Sequence, residues 1–107
     1  MRQKLYELQA QMCQVFTSSK RLEILNLLRE KELSVGQLAK LINIRQANLS
    51  QHLTILRERD VVKTRREGVV IYYSLSNPKI IKVFDIIREI LFEKMSKDGR
   101  FFQRIAR

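Results

Sequence analysis

The hydrophobic pattern of this chain changes its period close to residue 60. Up to that point, apolar residues recur at spacings of three and four, which is typical of amphipathic helices. The segment VVKTRREGVVIYYSL, residues 61–75, is instead rich in β-branched and aromatic residues on either side of Glu67-Gly68. This composition predicts a β-hairpin with two strands of about five residues. The chain is therefore helical for more than half its length and then forms a single hairpin.

Local start and stop signals divide the rest of the chain into helices. Ser18 can cap a second helix, and Ser34 stands three residues before Gln37, which is the spacing of a capping box. Asn77 and Pro78 form an N-cap followed by a proline in the first turn. The predicted helices cover residues 2–16, 20–30, 34–43, 45–59 and 78–96. The fold class is thus mainly α with a β-hairpin, in the order α-α-α-α-β-β-α.

Size and charge limit the classes of function. The 107 residues suit one domain, and 21 Lys and Arg against 11 Asp and Glu give a net charge of +10. Such a balance indicates a polyanionic partner, either nucleic acid or an acidic membrane surface. No apolar run reaches the ~18 residues of a membrane span and no signal peptide is recognisable, so a cytoplasmic protein is expected. One cysteine and one histidine predict no disulfide framework, no structural zinc site and no cofactor, and no catalytic constellation indicates an enzyme.

The segment RQANLSQHLTILR, residues 45–57, has eleven uncharged residues between two arginines, although 30% of the chain is charged. At helical spacing Leu49, Leu53 and Leu56 share one face and should anchor the helix to a core. The opposite face presents amides, hydroxyls and a methyl group, which can discriminate between base edges in a major groove. The residues of this helix predicted to contact DNA are Arg45, Gln46, Ala47, Asn48, Ser50, Gln51, Thr54 and Arg57.

The neighbouring segments complete a DNA-binding unit within the single domain 1–107. Residues 34–59 form a helix-turn-helix, and the hairpin at 61–75 forms a wing whose Lys63, Arg65 and Arg66 should contact phosphates. The wing arginines could instead be edge-strand charges that deter sheet pairing. Residues 97–107 form a basic tail of undecided role.

These motifs have the order and spacing of a known family. The segments RLEILNLL, ELSVGQLA, LSQHLTILR and RREGVVIYYSL, within residues 17–75, resemble the winged helix-turn-helix of the ArsR/SmtB repressors. The resemblance implies a homodimer that binds operator DNA and represses transcription, dimerising through helices 1–16 and 78–96. The apolar stripes of those helices also exceed what one small domain can cover. The predicted dimer-interface residues are Leu5, Leu8, Met12, Phe84, Ile87 and Leu91.

Three departures from the family pattern alter these expectations. Arg45 stands where relatives usually have a serine cap, and Val69 replaces a basic residue common at the wing tip. The Cys-x-Cys metal ligands of many relatives are replaced by Ser34 and Gly36, and residues 78–96 contain no histidine. We therefore predict a repressor without the family's usual metal sites.

Several residues have two interpretations. Gln46 is expected to point partly inward and could tie down the helix start instead of reading bases. His52 is expected to be a half-buried packing residue rather than a ligand or pH switch. Cys13 is expected to be buried as a small hydrophobe, with a redox-active thiol as the alternative. For the whole protein, the alternatives are a non-specific architectural DNA-binding protein and a winged-helix module that binds protein.

Overall fold

A computed structural model describes residues 1–97 of the chain and confirms the predicted fold class. The elements are α1 (Arg2–Cys13), α2 (Ser19–Leu27), β1 (Leu33–Ser34), α3 (Val35–Ile42), α4 (Gln46–Glu58), β2 (Val62–Glu67), β3 (Val70–Leu75) and α5 (Lys79–Lys97). A 3₁₀ turn at Gln14–Thr17 follows α1 directly. Apart from Lys97, the predicted basic tail lies outside the described residues.

The sheet has three strands rather than the predicted two. β1, β3 and β2 lie side by side in that order and all pair antiparallel, with Leu33 opposite Tyr73 and Arg65 opposite Tyr72. The hairpin was predicted correctly, with strands of six residues joined through Gly68-Val69, where Gly68 has a φ of +63°. The prediction missed β1, because two residues are too few to show a strand period.

Side-chain caps stand at the starts of three of the five α-helices within residues 1–97, α2, α3 and α5. Ser34 and Gln37 form the predicted reciprocal capping box of α3, and Asn43 ends that helix in the left-handed conformation at φ 61°. The hydroxyl of Ser18 accepts a hydrogen bond from the backbone of α2. The side-chain oxygen of Asn77 accepts one from the Lys79 N–H at 2.9 Å and so caps α5. These bonds satisfy N–H groups that have no partner inside a helix.

One hydrophobic core joins α2, α3, α4 and the sheet. Its buried residues are Val15, Ile24, Leu25, Leu28, Leu33, Leu38, Ile42, Leu49, Leu53, Leu56, Val61, Val62 and Tyr73. The three leucines of α4 are at most 1% exposed, as their spacing predicted. Their burial anchors α4 to the core and turns its other face outward.

The first and last helices contribute little to this core. α1 buries none of its residues, and α5 buries only Phe84 and Met95. Phe84 was predicted at a dimer interface, but the chain itself already covers this side chain to 8% exposure. No helix within residues 1–97 is long and apolar enough to cross a membrane.

Candidate nucleic-acid interface

The outward face of α4 forms an uncharged polar surface, which we call the reading face. It consists of Gln46, Ala47, Asn48, Ser50, Gln51 and Thr54, all of them exposed. The Thr54 hydroxyl donates to the Ser50 carbonyl at 2.8 Å. Within residues 1–97 the side chains of Asn48 and Gln51 have no hydrogen-bond partner. Their amide donors and acceptors are therefore free for a ligand.

The first turn of α4 differs from the expectation at one residue. Gln46 was expected to point partly inward, but it is exposed and borders a groove between the helix start and the wing residues Val69 and Val70. Arg45 precedes the helix in extended conformation and makes no side-chain cap. An uncapped helix start leaves N–H groups and a partial positive charge facing outward, which favours a nearby anion.

Arg45 and Arg57 stand at opposite ends of α4. Both are exposed, and neither has an ion-pair partner among the described residues. Arg45 is the residue before the helix and Arg57 lies in its last turn, so the two arginines are at the two ends of the reading face. This arrangement suits phosphate contacts on either side of a groove.

The Arg65 side chain of the wing is already occupied by protein groups. Its Nε donates to Glu32 Oε2 at 3.1 Å and its Nη1 donates to Glu67 Oε2 at 2.9 Å. The guanidinium carbon lies 4.6 Å from the centre of the Tyr72 ring. The hydrogen bonds that Arg65 donates to Glu32, and then to Glu67, hold the pKa of Arg65 above its ordinary value, and the bond to Glu32 lowers the pKa of that carboxyl.

Strand alternation separates Arg65 from Arg66. Side chains alternate between the two faces of a strand, so Arg65 shares a face with its partner Tyr72. Arg66 points to the opposite face, on which the buried Tyr73 packs into the core beside α4. Lys63 and Arg66 are exposed and have no ion pair within residues 1–97. Arg66 and Lys63 are thus the uncompensated cations of the wing.

Two residues outside the predicted set influence the site. Glu32 neutralises Arg65, but it could not be foreseen because it precedes the strand β1 that the sequence pattern did not predict. Arg21 lies against α4, the recognition helix of the predicted helix-turn-helix, with its Nη1 3.5 Å from Nδ1 of His52. Arg21 also donates to the Val15 carbonyl at 3.2 Å. Because Arg21 and His52 are 31 positions apart, no local sequence pattern could have indicated this contact.

His52 is half-buried, as expected of a packing histidine. Burial, followed by the charges of Arg21 and Lys20, lowers the pKa of its imidazole. A neutral ring with the proton on Nε2 can accept a hydrogen bond from Arg21 at Nδ1. His52 therefore supports the inner side of α4.

The remaining chemical candidates are Cys13 and the metal ligands. Cys13 is exposed, so the expectation of a buried thiol is wrong for the single chain. Its redox role stays a prediction. Residues 1–97 contain no group of three or more His, Cys, Asp and Glu side chains that could hold a metal ion.

Comparisons with known proteins agree with this geometry. The sequence model of the bacterial regulatory proteins of the arsR family matches residues 18–64. The nodulation protein NolR of Rhizobium meliloti is 38% identical over 84 residues, covering 78% of this chain and 69% of NolR. The crystal structure of NolR from Sinorhizobium fredii superposes with a TM-score of 0.78 at 37% identity, covering 83% of this chain and 89% of that one.

Of two further relatives, one is named as a repressor and the other as an activator. The transcriptional repressor PagR of Bacillus anthracis is 34% identical over 82 residues, covering 76% of this chain and 82% of PagR. The transcriptional activator HlyU of Vibrio cholerae is 36% identical over 73 residues, covering 68% of each protein. This chain therefore belongs to the arsR family of bacterial regulatory proteins and is a winged helix-turn-helix, DNA-binding transcriptional regulator.

Proposed function

We propose that the protein binds a specific operator as a homodimer and represses transcription from it. The observation that carries this proposal is the free polar reading face on a helix whose other side is held by three buried leucines. A rigid helix with unpaired amides can exchange water for base edges without breaking bonds inside the protein. A regulator of this kind works where the chromosome is, so we place it in the cytoplasm.

The side chains of the reading face support recognition of sequence. Gln51 and Asn48 carry amides that can bond adenine through both N6 and N7, and the Ala47 methyl can contact the thymine methyl. Each good bidentate contact is worth about 1–3 kcal/mol of discrimination. A non-specific architectural protein would not need this surface, because lysines and arginines suffice for phosphate binding.

Phosphate contacts should come from the uncompensated cations. Arg45 and Arg57 flank the reading face, and Arg66 and Lys63 extend from the wing. Arg65 must first give up two carboxylates, so its net contribution should be smaller. This division refines the sequence-based proposal, which treated Arg65 and Arg66 alike.

The exposed apolar residues of α1 and α5 support the dimer. Leu5 is 62% exposed and Ile87 51% exposed, and Leu8, Met12 and Leu91 are exposed as well. Burying this surface against a second copy removes it from water. Ile87→Glu should therefore give monomers or insoluble protein, and an unchanged dimer in light scattering would contradict the interface.

The sign of regulation does not follow from the fold, since relatives named as a repressor and as an activator share it. We propose repression, because a dimer bound across a promoter excludes polymerase by its volume alone. We propose no enzymatic activity, in line with a family of transcriptional regulators.

Selection of bound duplexes from a random pool tests the function. The wild type should enrich two half-sites about one helical turn apart, ~34 Å between recognition helices. Gln51→Ala should lose preference at one base pair of each half-site. Gln3→Ala, on the side of α1 opposite Leu5 and Leu8, is the matched control.

Three results would contradict the proposal. Enrichment without any sequence preference would favour an architectural protein. No enrichment at all would favour a protein-binding module. A Gln51→Ala profile identical to that of the wild type would remove α4 as the reader.

A further inference from the structure

A cluster of charged and aromatic side chains joins α2 to α5. Arg29, just after α2, donates from Nη1 to Asp85 Oδ2 at 2.9 Å and from Nη2 to Asp85 Oδ1 at 2.6 Å. Its Nε donates to Asn26 Oδ1 at 3.2 Å. The Phe84 ring lies beside the cluster, with its centre 5.6 Å from the guanidinium carbon of Arg29 and 4.6 Å from that of Arg88.

This cluster is a main attachment of α5 to the rest of the chain. Phe84 and Met95 are the buried residues of the 19-residue helix, and neither belongs to the central core. Ile80, near the start of the helix, is only partly buried against that core. Beyond the first turn, α5 is held by the contacts of Arg29 with Asp85 and Phe84, and near its far end by the burial of Met95.

On the side of α2, the cluster is connected through the hydrophobic core to α4. Arg29 follows Leu28, which packs with Leu25 into the core that also holds Leu49 and Leu53 of α4. A continuous path of packed side chains thus connects the reading face, through α2, to α5. A bidentate pair fixes an angle as well as a distance, because both guanidinium nitrogens must meet both carboxylate oxygens.

The Arg29–Asp85 ion pair should affect the orientation of α5 more than the stability of the fold. The side chains of Arg29 and Asp85 are 28% and 41% exposed, and ion pairs with that much solvent access stabilise a fold only slightly. Small angular changes are nevertheless amplified along α5. The helix is ~28 Å long, so a rotation of about 10° moves its far end by ~5 Å, more than the ~3.4 Å step of one base pair.

We propose that Arg29 and Asp85 are positioning residues that set the angle between α5 and the winged-helix body, and through it the half-site spacing that the dimer accepts. This inference rests on the proposed dimeric operator binding. Neither residue needs to contact DNA or the partner chain. Without the ion pair, the angle between α5 and the winged-helix body varies more. Operators with altered half-site spacing are then bound almost as well as the operator with the preferred spacing.

The test measures spacing preference separately from dimerisation and half-site affinity. The probes are duplexes that carry two copies of the selected half-site, with the separation changed by one base pair in either direction, and a duplex with a single half-site. Asp85→Asn removes the negative charge, and Arg29→Lys keeps the positive charge but loses the planar guanidinium that binds both carboxylate oxygens. Glu23→Gln breaks a different α2 ion pair, to Lys20 at 3.6 Å, and serves as the control.

Both variants should remain dimeric in sedimentation and bind the single half-site within about twofold of the wild type. Their preference for the best spacing over the altered ones should fall by about fivefold or more. The exchange Arg29→Asp with Asp85→Arg should restore the preference, and Glu23→Gln should keep it. Wild-type spacing preference in Asp85→Asn and Arg29→Lys would overturn the proposal.

Two other outcomes are also decisive. Monomers or a loss of half-site affinity in Asp85→Asn would overturn the inference and assign the pair to dimerisation or folding. A wild type that is itself monomeric, or that has no spacing preference, would instead contradict the proposed function. The two failures are therefore distinguishable in one set of titrations.

Discussion

The recognition helix and the wing present opposite kinds of surface to a nucleic acid. The reading face of α4 is uncharged, and its Asn48 and Gln51 amides have no partner in residues 1–97. The wing is charged, yet Arg65 is bound to Glu32 and Glu67 and stacked on Tyr72. Residue type alone would rank the wing as the stronger DNA contact. We expect the opposite ranking for Arg65, because a compensated cation must lose its carboxylates before it gains a phosphate.

The reading face can discriminate between bases only if the buried leucines hold α4 in place. Leu53 is 1% exposed, so Leu53→Ala should leave a cavity and cost about 2–5 kcal/mol of unfolding free energy. Urea denaturation measures the loss, with the exposed Leu41→Ala of α3 as the control. A loss below about 1 kcal/mol would mean that the helix is not held by its leucines.

The two arginines of the wing should differ in their contribution to DNA binding. Arg66→Ala should weaken binding to operator and random DNA alike and reduce the salt slope by ~0.9, as expected for one lost phosphate contact. Arg65→Ala should change the slope less, because that guanidinium is held by carboxylates. Fluorescence anisotropy at several salt concentrations measures both. Equal slopes for the two variants would remove the distinction between the two sides of β2.

Releasing Arg65 should make the wing more like a general phosphate binder. Glu32→Gln removes the first carboxylate partner and should raise affinity for random DNA by about twofold to fivefold, with a steeper salt slope. The control Glu23→Gln removes an equal charge far from the wing, so any difference between the two isolates the Arg65 contact. Equal gains in both variants would show that only net charge matters.

The smallest expected effect concerns His52 behind the reading face. Burial and then Arg21 lower its folded-state pKa, so below the unfolded value of about 6.5 the unfolded chain takes up a proton first. The free energy of unfolding should therefore fall from about pH 7.5 to about pH 5.5, and less so in His52→Gln. Parallel pH profiles of the wild type and His52→Gln would contradict this assignment.

Much of the fold followed from short-range patterns. The leucine spacing of α4, the capping box at Ser34 and Gln37, and the Asn77-Pro78 helix start each act within a few residues, so the sequence predicted them correctly. β1 was not predicted because a strand of two residues forms only by pairing with β3, which is distant in sequence. Cys13 was expected to be buried, but helix periodicity cannot tell which faces a single chain covers.

Local hydrogen bonding and hydrophobic periodicity decide the helix order, the hairpin, the inward leucines and the uncharged face of α4, so these features could be read from the chain alone. Tertiary structure alone decided which charges are free. Arg65 meets Glu32 33 positions away, Arg29 meets Asp85 56 positions away, and Arg21 meets His52 31 positions away. Such pairs depend on how whole elements pack around the core, and no pattern within one element contains that information.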